Sequence, residues 1–178
     1  ERIPTLKPVF QKDGTITALK EHVLAHSGAY FTHSGSTAGV SMAHFPGVYR
    51  SPAVFADGDA VYTNQPLSGG CRGYGIPEAC YLLEQLMDMA AEKIGMDPLE
   101  IRVKNLKKLG DPSQMGIPLE TETQEKCIRI GAEKIGWSEK RKTKRENGSK
   151  RRGIGMATFF DVSGGQPFEI EDRDVYIK

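Results

Sequence analysis

The sequence predicts an α+β fold, a mixed and largely antiparallel set of strands packed with three helices. Three observations predict it. The N-terminal part carries alternating apolar and polar runs on either side of an Asp-Gly turn. The middle carries three segments with apolar residues at three- and four-residue steps, each closed by glycine or proline. The last part returns to short β-type runs after a basic stretch. At 178 residues the chain can bury the core of one domain, or of two small ones.

Leu6–Phe10 and Ile16–Ser27 read as a hairpin around Lys12-Asp-Gly-Thr15, with one face buried. Phe31 to Val48 has little periodicity and is rich in Ser, Gly, Thr and His, the composition of a loop. Ala53–Ala56 and Ala60–Thr63 read as a second hairpin-like pair joined by Asp57-Gly-Asp59. From Pro77 to about Ile94, Ala79, Leu82, Leu83, Leu86, Ala90 and Ile94 trace an amphipathic helix that ends at Gly95. Asp97-Pro-Leu-Glu100 is a capping-box pattern that starts a second helix, running to about Lys108 before Gly110-Asp-Pro112. A third runs from Thr121 to about Ile135, with Ile128, Ala132 and Ile135 as its seam and Gly136 as its stop. The basic run from Glu139 to Arg152 lacks interleaved aromatics, so it reads as a solvated helix end plus loop, not a nucleic-acid patch. Gly153 to Phe160 and Asp174–Lys178 read as return strands.

Net charge is +1, so no global field points to nucleic acid or a membrane surface. No apolar stretch is long enough to span a bilayer. The chain opens Glu1-Arg-Ile-Pro-Thr, with neither an initiator methionine nor a signal-peptide h-region, as a cut or processed piece would. Cys71, Cys80 and Cys127 are odd in number and form no C-x-x-C pair, so no disulfide framework, zinc site or iron–sulfur site follows. A cytoplasmic, reducing compartment is the expectation.

The stretch most unlike an ordinary connection is Asn64-Gln-Pro-Leu-Ser-Gly-Gly-Cys-Arg-Gly-Tyr-Gly-Ile-Pro-Glu78. Its glycines permit positive φ and close approach to the backbone, and Pro77 suits the first turn of a helix. A tight turn delivering a helix N-terminus offers free N–H donors to an anion, and Arg72 adds a planar, permanently charged donor fork. A plain glycine-rich connection whose arginine pairs with a surface carboxylate fits the same residues.

This stretch resembles the xanthine dehydrogenase and aldehyde oxidase family of molybdenum hydroxylases, whose large subunits carry N-x-P-x-G-A-[FY]-R-G-[FY/A]-G-x-P-[QE] beside the molybdopterin cofactor. The resemblance continues through Ala79-Cys-Tyr-Leu-Leu-Glu-Gln-Leu-Met-Asp88 and Gly95-Met-Asp-Pro-Leu-Glu-Ile-Arg-Val-Lys-Asn105. It covers well over half of the chain and is densest from Ala53 to Asp111. It implies an internal segment of the molybdopterin-binding subunit: a β-rich part at 1–70, the cofactor turn and helices at 71–136, and a basic loop with return strands at 137–178.

The resemblance further implies that Gly70, Cys71, Arg72 and Gly73 lie against the cofactor and that Tyr74 presents a ring to a flat substrate. The cofactor would be molybdopterin, as such or in its cytosine dinucleotide form. Iron–sulfur clusters and FAD would sit on other domains or subunits, and a small N-heterocycle or aldehyde would be oxidised at a C–H bond with water. No catalytic residue is expected here, because the family's glutamate base lies downstream, and no side chain is expected to bind metal. In the purine-oxidising branch an arginine reaches the substrate from the segment before Tyr49-Arg-Ser-Pro52. Val40 stands at that place, which argues against a purine held in that manner, while His33 and His44 are the polar residues nearby. Cys71 departs from the usual aromatic residue and reads as a small packing side chain. The copper-binding cysteine of the carbon monoxide dehydrogenase branch corresponds to Gly73. Ser163-Gly-Gly165 falls where the family builds a further loop towards cofactor or substrate. Two other readings fit: a non-catalytic scaffold or interaction domain with the same fold, and a phosphate-binding module built on Gly73-x-Gly75.

Overall fold

The structure, a computed structural model, describes residues 2–112, 116, 118–142, 145–147 and 149–159. Ser163-Gly-Gly165, Asp174–Lys178 and Phe160 lie outside the described residues. The order of elements is β1 (Arg2–Phe10), β2 (Ile16–Gly28), α1 (Ser34–Ala43), β3 (Ala53–Tyr62), α2 (Ile76–Ile94), α3 (Pro98–Asn105), α4 (Gln124–Ile135), α5 (Trp137–Lys142), β4 (Arg145–Asn147) and β5 (Lys150–Arg152). No described helix is long and apolar enough to cross a membrane.

The first hairpin forms as its turn chemistry requires. Asp13 Oδ1 accepts from the Thr15 N–H at 3.0 Å, and the Gly14 N–H donates to the Gln11 carbonyl at 2.9 Å. β1 and β2 pair antiparallel from Arg2↔Ala25 to Phe10↔Ile16. The expected second hairpin does not exist. Ala53–Tyr62 is one strand, parallel to β2 from Ala18↔Ala53 to Gly28↔Tyr62, so the sheet is mixed with order β1-β2-β3. Asp57 and Asp59 reach His22 on the neighbouring strand, at 3.3 and 4.0 Å, so they serve cross-strand contacts instead of a reversal. Chain direction is set by the crossover through α1, which the sequence disguised as a loop. Among the described strands β3 is an edge of the sheet, and it is exposed along most of its length.

Residues of the inner sheet face and of the helices share one core, including Ile16, Leu19, Tyr49, Leu83, Met87, Ile101, Ile128 and Trp137. α2 begins at Ile76, with Gly75 as its N-cap, and ends on Gly95 in the left-handed region. α3 starts as expected, with Asp97 Oδ1 accepting from the Leu99 N–H at 2.7 Å. Glu100 pairs with Arg129 at 3.4 Å. α3 stops at Asn105, short of Lys108, because Leu106 turns extended and bridges Tyr49. Asn105 then ties the helix to the hairpin, its Oδ1 accepting from the Ile16 N–H and its Nδ2 donating to the Gly14 carbonyl, each at 2.8 Å. α4 buries Ile128 and Ala132, while Ile135 is 41% exposed and falls off the seam.

The basic run forms the helix end α5 and then a two-stranded antiparallel ribbon, β4-β5, where a loop was expected. The strand expected from Gly153 is absent over the described residues 153–159. No described strand offers a ladder there, and Ile154 and Met156 pack on the core instead.

β2 buries one residue that its pattern would give to a hydrophobe. Glu21 is fully buried, and neither carboxylate oxygen has a hydrogen-bond partner. Burial pushes its carboxyl up to about 7 from the ordinary 4.5, with the nearby Arg2 charge pulling the other way. Between those values an unfolded chain has released a proton that the folded one keeps, so stability falls as pH rises from 4.5 to about 7 and is level above. Glu21→Leu is therefore expected to flatten this slope and to raise stability at pH 8 by roughly 3 kcal/mol. Denaturant midpoints at pH 5 and 8 test this, and an unchanged slope in the variant refutes it.

Candidate functional site

The glycine-rich stretch leaves β3 and is strapped to the end of β2. The Thr63 N–H donates to the Gly28 carbonyl, and the Ser68 N–H donates to the Ser27 carbonyl, at 3.0 and 3.1 Å. Ser68 Oγ donates to the His26 carbonyl at 2.7 Å, and Thr32 Oγ1 donates to the Ser68 carbonyl at 2.7 Å. These bonds fix where the turn begins. Its end is fixed by steric fit. Gly73, Tyr74 and Gly75 all have positive φ, of +93°, +45° and +105°. A Cβ on Gly73 would lie 2.5 Å from Pro77 Cγ, and one on Gly75 would collide with the Thr37 carbonyl oxygen. Only glycine lets the chain pass α1 so closely in that conformation.

Tyr74 locks the turn to α1. Its ring lies over Gly70, and its hydroxyl is 2.7 Å from His33 Nδ1 and 2.8 Å from Ser36 Oγ. A non-glycine residue at positive φ is uncommon and is held there by such surroundings. The structure thus brings His33 to the turn. His44 lies elsewhere, buried, with its Nδ1 2.8 Å from the Val40 carbonyl. Val40 sits on α1, partly buried.

Between these anchors the turn is open. Gly70, Cys71 and Arg72 are exposed, and Cys71 is a free thiol. Among the described residues, the N–H groups from Gly69 to Gly73 donate to nothing, and Arg72 has no ion-pair partner. The plain-connection reading required a surface carboxylate for Arg72, and none of the described ones takes that place. Successive bare donors beside an uncommitted guanidinium form a cradle for an acceptor-rich, anionic group. Among the described residues, no group of His, Cys, Asp and Glu side chains is arranged to hold a metal ion.

Beneath the turn, α2 and α3 are held by a buried charge network. The Arg102 guanidinium, with no exposed surface, donates to Glu84 Oε2 and Asp88 Oδ1, each at 2.8 Å, and to the carbonyls of Pro98 and Glu84. Tyr49 donates to Glu84 Oε1, and the Thr158 N–H donates to Glu84 Oε2 at 3.0 Å. Burial, then the Glu84 charge, pushes the Tyr49 phenol well above its ordinary range. Glu84 is thus wholly engaged in structure, as its place on the helix suggested.

Sequence reasoning missed the contributions of Thr32, Ser36 and Thr37. α1 buries Ser34, Thr37, Ala38 and Ser41, a helical repeat written in small and hydroxylated residues instead of large apolar ones. That spacing was the available signal.

A mixed sheet with helices packed on one face, and a turn of bare donors between β3 and α2, define an α+β domain. Residues 2–106 match the molybdopterin cofactor-binding domain family, and the chain belongs to it. It is 32% identical over 162 residues to the xanthine dehydrogenase molybdenum-binding subunit of Escherichia coli O157:H7, covering 90% of this chain and 22% of that subunit. It is 40% identical over 107 residues to an aldehyde oxidoreductase of Megalodesulfovibrio gigas, covering 60% of this chain and 12% of that protein. The solved aldehyde oxidoreductase from Desulfovibrio gigas superposes with a TM-score of 0.68 at 29% identity, over 81% of this chain and 16% of that one. The chain thus spans about a fifth or less of the length of these relatives.

Proposed function

We propose that this chain forms part of the cofactor site of a molybdenum-dependent hydroxylase of the xanthine dehydrogenase and aldehyde oxidoreductase type. The observation that carries the reading is the run of undonated N–H groups from Gly69 to Gly73 beside the uncommitted Arg72. Those residues fit molybdopterin, which is anionic and rich in acceptors. The Gly70, Cys71, Arg72 and Gly73 backbone would donate to it, and the Arg72 side chain would add charge and a bidentate fork. When bound, the cofactor supplies the redox centre at which a C–H bond is oxidised with water as oxygen source. The chain's own work is to orient that group and to offer the Tyr74 ring to a flat substrate, an aldehyde or N-heterocycle.

In this reading the cofactor is molybdopterin or its cytosine dinucleotide form, and iron–sulfur and FAD groups on other domains or subunits carry electrons away. The glutamate base and further cofactor loops lie outside this chain, so the isolated chain is inactive. The compartment is cytoplasmic, and neither nucleic acid nor membrane is a partner.

The test is molybdenum and pterin content, with turnover of aldehydes and N-heterocycles, of the full-length subunit made in a molybdenum-competent host. Stoichiometric molybdenum is expected, and its absence from the wild-type subunit would favour a non-catalytic scaffold. Tyr74→Ala removes both the ring and the lock to α1, so kcat/KM for a planar substrate is expected to fall by more than the roughly three- to tenfold of one aromatic contact. Unchanged kinetics with an aromatic substrate would count against Tyr74 as a substrate platform.

A further inference from the structure

The bonds around Tyr74 assign a tautomer. Ser36 Oγ donates its single hydrogen to the His33 carbonyl, at 3.0 Å. It therefore accepts from the Tyr74 hydroxyl at 2.8 Å, which uses that hydroxyl's only hydrogen. In that order of donation the 2.7 Å contact between Tyr74 and His33 is made by an Nδ1–H. In the neutral ring this leaves His33 Nε2 without a hydrogen, as an acceptor. His33 is exposed, and its Nε2 has no partner among the described residues.

The imidazole stands nearly perpendicular to the Tyr74 ring, with centroids 5.9 Å apart and an interplanar angle of 77°. The two rings make a corner: an aromatic face on one side, a bare acceptor on the other. Phe31, next but one in the chain, is 54% exposed and packs edge-on against the exposed Tyr62, with centroids 6.4 Å apart. Building on the substrate-platform reading of Tyr74, we infer that His33 Nε2 selects flat heterocycles that carry a ring N–H, accepting that hydrogen while the ring lies against Tyr74. A ligand of the same shape without the N–H leaves the acceptor facing apolar surface, which is how a single hydrogen bond comes to discriminate.

The probes are 2-pyridone, which has a ring N–H, and N-methyl-2-pyridone, which lacks it. Binding to the molybdenum-loaded full-length subunit is followed by calorimetry, so turnover is not needed. The wild type is expected to prefer 2-pyridone by about tenfold. His33→Leu should bring the two affinities within about twofold, 2-pyridone losing the more, since loss of the Tyr74 contact weakens both. His33→Gln, whose amide oxygen can accept, should keep part of the preference. A preference that survives in His33→Leu, or no binding or no preference in the wild type, overturns the inference. Equal weakening of both pyridones in both variants also overturns it, because it marks His33 as a prop for the turn. Molybdenum content of the same samples is read separately, so a failed cofactor assignment is distinguishable from a failed role for His33.

Discussion

Arg102→Ala is expected to destabilise the domain by about 3–5 kcal/mol, because it strands the buried Glu84 carboxylate without its counter-charge. The guanidinium has no exposed surface and donates to two carboxylates and two carbonyls from α2 and α3. Few single changes remove that many bonds at once. Arg102→Lys keeps the charge but cannot span the same acceptors, so it should lie between wild type and alanine. Replacing Arg102 and Glu84 together by leucines should cost less than Arg102→Ala alone, since neither charge is then left buried without its partner. Denaturant midpoints of the full subunit and its variants decide this. A loss below about 1 kcal/mol for Arg102→Ala, the scale of an exposed pair, would show that the network adds little.

Gly75→Val should all but abolish cofactor retention and turnover without removing any charge or donor. The valine must adopt φ of +105° and place its Cβ into the Thr37 carbonyl, which belongs to the backbone of α1 and cannot swing aside. Left-handed strain alone costs on the order of 1–2 kcal/mol. The larger effect is geometric: displacing the turn by about 1 Å would cost about a hundredfold in rate. Arg72→Lys is the contrast, expected to retain molybdenum with a milder defect. Gly95→Ala is the control, since Gly95 also has positive φ, at +77°, but a Cβ there meets nothing within 4 Å. Full molybdenum and full rate in Gly75→Val would reduce the stretch to a surface connection.

Much of this was legible in the sequence, for identifiable reasons. α2 and α3 announce themselves by period, by Asp97 with Pro98 at one start and by Gly95 at one stop, all local signals. The first hairpin is equally local. β3 was misread because Asp-Gly favours a reversal only if the strands are free to pair antiparallel, and the long crossover through α1 removes that freedom. α1 itself was hidden, since its buried stripe of Ser34, Thr37, Ala38 and Ser41 carries almost no hydrophobic contrast. The motif around Arg72 located the turn, yet what anchors it lies about forty positions earlier, in His33 and Ser36, a pairing that only folding creates.

The edge position of β3 among the described strands has a consequence for self-association. An edge strand with exposed Val54, Phe55, Val61 and Tyr62 is a template on which a second copy could add its own strand. Between the apolar pairs stand Asp57 and Asp59, both exposed or half-exposed. Two aspartates near the middle of a strand weaken its intrinsic preference and place like charges where an incoming copy would have to stack the same residues. His22 stands in register with Asp57 across the native pair, a contact that a second copy's edge does not bring. The same two residues that mimicked a turn in the sequence thus place charge on the sheet's exposed edge.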